Sequence, residues 1–438
     1  MKKYFFIALL IPCIAQAQDD ELDADLSLEE IMNRNLVDMS IEDWVNLDDK
    51  ELNQLSFYGF LNFNAEKVFH EPSLDAAGNT IYETSPGEMS TPAFHLYAGS
   101  RLSEKFTVFF NLGQSDGNIN LVNAWGNWKI KDGFQIRLGR QYRRFGLFNE
   151  RLDQIPTYLG IEPPELFDGD HLLLPRTTLA SIHGEFQMQG RSRLRYFLST
   201  SNAESGQEGS VLPLGLDLRY SSSFFLVGVS GYTSNISGAG SQPTVSLGEG
   251  SPSAAILPWM DSDKYVVFGL FSEVRKGNLG IKAAYFTADH DAVRNATQVV
   301  ELANNGLLNQ AQTNRMFRGS TDPNAPTEAD VILDGSYRVN TWYIRLGYDI
   351  NTVKGKFTPY FFLDSYENPE TIRSKDFGGD NEAGASDNGR FLKPSIGVVY
   401  KPIDQVAIKL DGSTHSYDFN GRSESYSEIR IDFSYMFK

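Results

Sequence analysis

The chain has 438 residues, of which 41% are hydrophobic and 13% aromatic, and its formal net charge is −17 at pH 7. A mean hydropathy of −0.32 excludes a bundle of membrane-spanning helices, because each would need about 20 consecutive apolar residues. The negative charge disfavours nucleic-acid binding, since it repels phosphates.

The first seventeen residues have the three parts of a secretory signal peptide. Lys2 and Lys3 are basic, residues 4–11 are apolar, and Ala15-Gln16-Ala17 is a small-residue cleavage site. We therefore expect residues 1–17 to be removed and the mature chain to be exported. Cys13, the single cysteine of the sequence, would leave with them, which excludes a disulfide or a thiolate site in the mature protein.

Residues 18–53 form an acidic extension. Thirteen acidic residues lie between Asp19 and Glu51, against Arg34 and Lys50. Ser27 and Glu30 have the spacing of a capping box, which predicts a short amphipathic helix after an acidic leader. We interpret the extension as a solvated periplasmic tether, with a partial plug or a subunit contact as the alternatives.

Residues 54–438 contain sixteen segments in which apolar and polar residues alternate, the pattern of strands with two different faces. They begin near Ser56, Pro92, Lys105, Asn118, Gly133, Arg176, Ser192, Val211, Phe224, Lys264, Asn278, Ser336, Lys356, Arg390, Gln405 and Glu424. The junctions between them are alternately short and long. Two junctions, near Asp116 and Asn420, are short although they stand where the alternation calls for a long one.

This alternation of junction lengths predicts an up-and-down antiparallel β-barrel in a membrane. Outer-membrane barrels have tight periplasmic turns, longer external loops and an even number of strands. A soluble sandwich has no reason to place all its long loops on one side. The chain is therefore expected in the cell outer membrane, surrounded by lipid, with its N-terminus in the periplasm.

The parity of the strands assigns charged residues to the inside of the barrel, because a charge in lipid is costly. A lumen with many charges implies water, since an unpaired buried charge is very unfavourable; the alternative is a closed barrel filled by salt-bridge ladders. The basic residues expected to line the lumen are Arg137, Arg143, Arg193, Arg195, Arg219, Arg345 and Lys409.

The junction 142–175, after the fifth strand, is unusually apolar for an external loop. Side chains such as Phe145, Phe148 and Phe167 predict that it folds inward and packs against the inner wall. Its acidic residues are then candidates to line a constriction, and they are Glu150, Asp153, Glu162, Glu165, Asp168 and Asp170.

The sequence Gly139-Arg-Gln-Tyr-Arg-Arg-Phe145-Gly146 resembles the phosphate-selective porin O and P superfamily, whose fifth strand leads into a Gly-x-x-x-x-x-Phe-Gly turn. The final segment resembles the terminal signal of outer-membrane barrels. In this resemblance, Tyr435 and Phe437 are the residues that the barrel-assembly machinery would recognise. The resemblance implies a homotrimeric porin with an infolded third loop. Lysines that coordinate the anion in phosphate-selective members are missing here, since no lysine lies between Lys131 and Lys264.

We therefore expect a porin that passes small hydrophilic solutes or ions by passive diffusion. In the lumen the arginines could form a basic stripe opposite the acids of the loop, or they could only pin the loop by ion pairs. The alternative function is an adhesive or scaffolding barrel that binds a partner through its long external loops.

The sequence does not favour an enzyme, a metal site or a cofactor. His415 and Ser416 are adjacent, so on a strand they point to opposite faces, which is wrong for a nucleophile and its base. Asp168-Gly-Asp170 is too small a set of ligands for a cation site. A hydrolase in the membrane is thus a third and weaker hypothesis.

Overall fold

The structure is a computed structural model that describes residues 55–70, 87–90, 92–115, 118–151, 159–167, 176–190, 192–201, 213–237, 257–319, 326–372, 385–419 and 421–437. All of them belong to one compact unit, Val45–Lys438. The predicted signal peptide and acidic extension lie outside the described residues, and so do Asp153, Asp168 and Asp170 of the predicted constriction.

Within these ranges, sixteen long strands form one antiparallel sheet, which confirms the predicted all-β class and strand number. Their bounds are β1 (Leu55–His70), β2 (Ala93–Ser103), β3 (Phe106–Ser115), β4 (Asn118–Lys131), β5 (Phe134–Tyr142), β6 (Arg176–Gln187), β7 (Arg193–Ser201), β8 (Leu214–Ser221), β9 (Phe225–Ser237), β10 (Met260–Lys276), β11 (Leu279–Arg294), β12 (Tyr337–Tyr348), β13 (Gly355–Glu367), β14 (Arg390–Ile403), β15 (Val406–Phe419) and β16 (Arg422–Phe437).

The sheet closes into a barrel because β1 pairs with a neighbour on each side. Gly59 is opposite Leu96 of β2 and opposite Phe437 of β16. Closure leaves no sheet edge, so strand backbone groups bond to the next strand, as a structure in lipid requires. Among the described residues, no helix is long and apolar enough to cross a membrane.

Side chains alternate between the two faces of the barrel, as the sequence pattern predicts. In β16, Ile429 and Ile431 are half exposed on the outside, whereas Arg430 and Asp432 between them are 8% and 0% exposed on the inside. An apolar exterior suits lipid, and a polar interior suits a wet lumen.

Tight turns join the strands at one end of the barrel, which we call the tight-turn end. Gly277 and Asn278 alone connect β10 to β11, and Gly277 has a φ of 57°, a left-handed conformation that favours glycine. The strand ends that border the longer junctions lie at the opposite end of the barrel, which we call the long-loop end. There the links after β3 and β15 are as short as the sequence predicts.

Two additional short strands extend the barrel. Glu88–Met89 pairs with β1, and Ile350–Thr352 pairs with β13. The sequence analysis missed both, because two or three residues are too few to show an alternation.

The long-loop end carries a folded element between β11 and β12. It contains α1 (Ala296–Asn304) and α2 (Gln310–Met316), whose side-chain N-caps are Asn295 and Asn309. Together with residues 368–372, which follow β13, we call it the cap. Gln312 of α2 donates a 2.6 Å hydrogen bond to the Thr371 carbonyl.

The cap is packed as a small core. Val299, Leu302 and Met316 are buried with Trp259 and belong to the hydrophobic cluster that continues into the barrel. Below them, the Arg294 guanidinium holds the Glu370 carboxylate through two hydrogen bonds of 2.6 and 3.1 Å. The cap is therefore attached to the barrel by both apolar burial and a buried ion pair.

Candidate functional site

The candidate site begins where the chain leaves β5 and turns into the barrel. Gly146 adopts a φ of 63°, and a Cβ there would lie 2.8 Å from the Phe286 ring, so a side chain would meet both strain and a clash. Its N–H donates to Ser230 Oγ at 2.9 Å, and its carbonyl accepts from Arg219 at 2.9 Å. The Phe-Gly part of the sequence motif thus directs the loop onto the inner wall.

The apolar side chains of the loop pack against β11 and β12. The Phe286 ring centroid lies 5.1 Å from that of Phe145 and 5.9 Å from that of Phe167. Phe148 meets Tyr343 edge-on at 5.6 Å. All five side chains are buried, so the segment is held by the hydrophobic effect inside the barrel.

The first charged part of the loop forms a group with β8. Glu150 accepts from Arg144 Nε at 2.8 Å and pairs with an Arg219 amino group at 3.0 Å. Arg219 also binds Asp217 at 2.6 Å, and Asp217 accepts from Ser230 Oγ at 2.6 Å. At Glu150, therefore, the loop acid contacts two arginines of this wall directly.

Two predicted arginines contact aromatic rings near this group. The guanidinium of Arg143 lies 3.5 Å from the Tyr232 ring centroid, and that of Arg137 lies 4.1 Å from the Trp125 ring centroid. Stacking of this kind fixes a planar guanidinium while leaving its charge in place.

The second described part of the loop, residues 159–167, contacts the wall formed by β12 to β16. The Glu162 carboxylate pairs with Lys393 and, at 2.5 Å, with Arg430. Arg345 donates to the Glu162 carbonyl at 3.0 Å, and Lys409 donates to the Gly160 carbonyl at 2.8 Å. The described loop residues therefore contact the β8–β9 wall at Gly146 and Glu150 and the β12–β16 wall at Gly160 and Glu162.

Glu165 shares a cation with Glu162. Its carboxylate lies 2.6 Å from Lys393 Nζ, and Arg345, beside them, pairs with Asp364 at 2.8 Å. Among the described residues predicted for the site, Arg345, Lys409, Glu162 and Glu165 thus come together on this wall.

Arg193 and Arg195 lie at the start of β7, near the tight-turn end. Both pair with Glu185, at 3.4 and 2.6 Å. Both side chains lie on the face of β7 that points into the barrel.

The sequence analysis did not select Lys393, Arg430 or Arg144 for the site. Strand parity places Arg430 inside, and Phe391 and Lys393 share an inward face. The contact of Lys393 and Arg430 with Glu162 could not be inferred from the sequence, since Lys393 and Glu162 are 231 residues apart.

The two sides of the inner wall differ in charge among the described residues. On the β5–β8 side arginines outnumber carboxylates: Arg137, Arg143, Arg144, Arg193, Arg195 and Arg219 against Glu150, Glu185 and Asp217. On the β12–β16 side, with the loop segment that it holds, carboxylates outnumber cations: Glu162, Glu165, Asp349, Asp364, Asp411, Glu424, Glu428 and Asp432 against Arg345, Lys356, Lys393, Lys401, Lys409 and Arg430. Within the described part of the chain, positive charge therefore predominates on the first side and negative charge on the second.

No protein-family model matches the chain, and no curated protein matches it. In fold it is similar to an anion-selective porin from Comamonas acidovorans, with 12% identity and a TM-score of 0.54 over 88% of this chain and 99% of the porin. It is also similar to Salmonella typhi OmpF in complex with daunomycin, with 12% identity and a TM-score of 0.50 over 88% and 98%.

A third similar structure is in-vitro folded OmpT, an outer membrane protein of Vibrio cholerae. It is 9% identical, with a TM-score of 0.50, and the match covers 89% of this chain and 100% of OmpT. At these identities the similarity shows the fold alone, which is that of an outer-membrane β-barrel.

Proposed function

We propose that the chain is an outer-membrane porin that passes small hydrophilic solutes by passive diffusion. The observation that carries the proposal is a closed sixteen-stranded barrel with an apolar outside and a charged inside. Barrels of about sixteen strands leave an aqueous channel. The similar solved structures include one described as an anion-selective porin, which supports the same class of function.

The loop that begins after β5 acts as the constriction in this proposal. It touches both walls, through Glu150 on one side and Glu162 on the other. The unequal charge of the two walls would set up a field across the remaining path. Such a field orients dipolar solutes and sets ion preference.

The tight-turn end would face the periplasm and the cap the exterior, with the N-terminus periplasmic after export. We propose a homotrimer in outer-membrane lipid, assembled by the barrel-assembly machinery through Tyr435 and Phe437. Within the porins, a relation to the phosphate-selective O and P superfamily is supported by Gly139 and Gly146, both at positive φ. We propose no catalytic activity.

The function is tested by reconstituting the purified full chain in a planar lipid bilayer. Stepwise conductance is expected, and its absence across several preparations would contradict the porin. In a salt gradient, Arg137→Ala combined with Arg193→Ala should shift the reversal potential towards cations, because two positive charges leave the lumen. Arg338→Ala is the control, since Arg338 is exposed and paired on the outside; an equal shift there would contradict the lumenal origin of the selectivity.

A specific observation favours the alternative of a scaffold. Lys409 and Asp432 point inward yet are 0% exposed, because neighbouring side chains and the loop segment at Gly160 cover this part of the inner wall. The cap adds a folded surface at the long-loop end. The scaffold function would be supported if the barrel gives no conductance and binds a partner through the cap.

A further inference from the structure

Arg430 of β16 binds three carboxylates on the inner wall of the barrel. Its Nε lies 2.9 Å from the Glu66 carboxylate of β1. One amino group lies 2.5 Å from Glu162 of the loop, and the other lies 2.6 Å from Glu428. A guanidinium has one positive charge, and each ionised carboxylate has one negative charge. Arg430 alone therefore cannot balance the three carboxylates that it binds.

Two other basic side chains belong to this group. Lys393 is shared by the loop carboxylates Glu162 and Glu165, the second at 2.6 Å. His415 lies 3.1 Å from Glu428, and it adds a positive charge only when it is protonated. Both of these contacts are made to carboxylates of the loop and of β16. The carboxylate of β1 is thus paired with a guanidinium that two further carboxylates also use.

The exposed fractions of these side chains place the carboxylates nearer to water than the cations. Glu66 and Glu162 are 41% and 29% exposed, whereas Arg430 and Lys393 are 9% and 6% exposed. Glu66 lies opposite Arg430 in the register of β1 and β16, so both side chains point into the barrel. An ion in the lumen can therefore approach the carboxylates more closely than the cations behind them. Because the Coulomb energy falls with distance, the nearer negative charges act on the ion more strongly.

The other described contact of the loop has the same arrangement. The Glu150 side chain is 23% exposed, and those of Arg144 and Arg219, which it contacts, are 9% and 10% exposed. At both contacts the loop carboxylate is thus more exposed than the basic side chains that it meets. The described surface of the constriction therefore presents carboxylates to water.

We propose that Glu66 is a selectivity-determining residue, which together with Glu162 makes the channel pass small cations in preference to anions of similar size. The preferred solutes are monovalent inorganic cations and small organic ammonium ions, since exposed carboxylates attract them along the path. The proposal rests on the proposed function, because selectivity has a meaning only for a channel that conducts.

The test measures the reversal potential of the purified full chain in a planar bilayer under a gradient of potassium chloride. The wild type should prefer potassium. At about 0.1 M salt, where the screening length is about 10 Å, Glu66→Gln should lower the ratio of potassium to chloride permeability about threefold. Glutamine keeps the size of the side chain and can still accept a hydrogen bond from Arg430, so the substitution removes only the charge.

Salt concentration and a control variant show whether the effect is electrostatic and lumenal. At about 1 M salt the screening length falls to about 3 Å, so the difference between the wild type and Glu66→Gln should shrink. Asp289→Asn is the matched control, because it removes a carboxylate that is 59% exposed on the outside of the barrel. Its permeability ratio should equal that of the wild type.

A wild-type channel that prefers chloride would overturn the proposal, and so would an unchanged ratio in Glu66→Gln or an equal fall in Asp289→Asn. These outcomes would leave the porin function standing. Single-channel conductance in symmetrical salt checks that the variant keeps an open path. Glu162→Gln removes the second exposed carboxylate and repeats the test if Glu66→Gln does not fold. Absence of conductance in the wild type would contradict the proposed function, and this proposal with it.

Discussion

Phe286 is the residue of the inner wall on which the apolar side chains of the loop converge. Its ring is 1% exposed and lies against Phe145 and Phe167. Truncating a buried Phe to Ala costs about 3–5 kcal/mol, and every 1.4 kcal/mol changes an equilibrium constant about tenfold. Phe286→Ala should thus raise the fraction of molecules with a detached loop about 100-fold or more.

Detachment of the loop from the inner wall is measured in two ways. Single-channel recordings should show larger and noisier current steps, and trypsin should cut faster after Arg151 in the loop. Phe268→Ala is the matched control, because Phe268 is 47% exposed on the outside of β10. Conductance and cleavage that stay at wild-type values in Phe286→Ala would refute the docking of the loop on this wall.

Two further predictions concern buried ion pairs. Asp217→Asn should lower the temperature at which the barrel unfolds on a heat-modifiability gel, since breaking a buried pair costs about 3–5 kcal/mol. The control is Asp289→Asn, which breaks an exposed pair with Arg338 and should change the unfolding temperature little. Equal effects of the two substitutions would contradict the burial argument. Glu370→Gln leaves Arg294 without its buried carboxylate, so amide hydrogen exchange should become faster in α1 and keep its wild-type rate in β16. An unchanged exchange rate in α1 would show that the ion pair does not hold the cap.

The barrel could be predicted from the sequence because its determinants are local. Alternation within a strand, as in Ile429 to Phe433, and glycine at a tight turn, as at Gly277, are written in adjacent residues. The strand starts least well predicted were Val211, observed at Leu214, and Lys264, observed at Met260. At both of these strand starts, the residues next to the strand do not alternate between apolar and polar.

The contacts of the loop could not be predicted, because they join residues far apart in the chain. Apolar content predicted that residues 142–175 pack against a wall, but it did not say which wall. The choice depends on Phe286 and on cations such as Lys393, which is 228 residues from Glu165. The inward direction of Lys393 follows the alternation within its strand, whereas its partners follow only from the closed geometry of the barrel.

The passage of small hydrophilic solutes is tested most directly by liposome swelling. Proteoliposomes containing the purified chain are diluted into an isotonic solution of arabinose, and the fall in turbidity is recorded against liposomes without protein. A water-filled channel predicts rapid swelling that slows as larger sugars replace arabinose. Swelling no faster than in protein-free liposomes would contradict the porin and favour the scaffold.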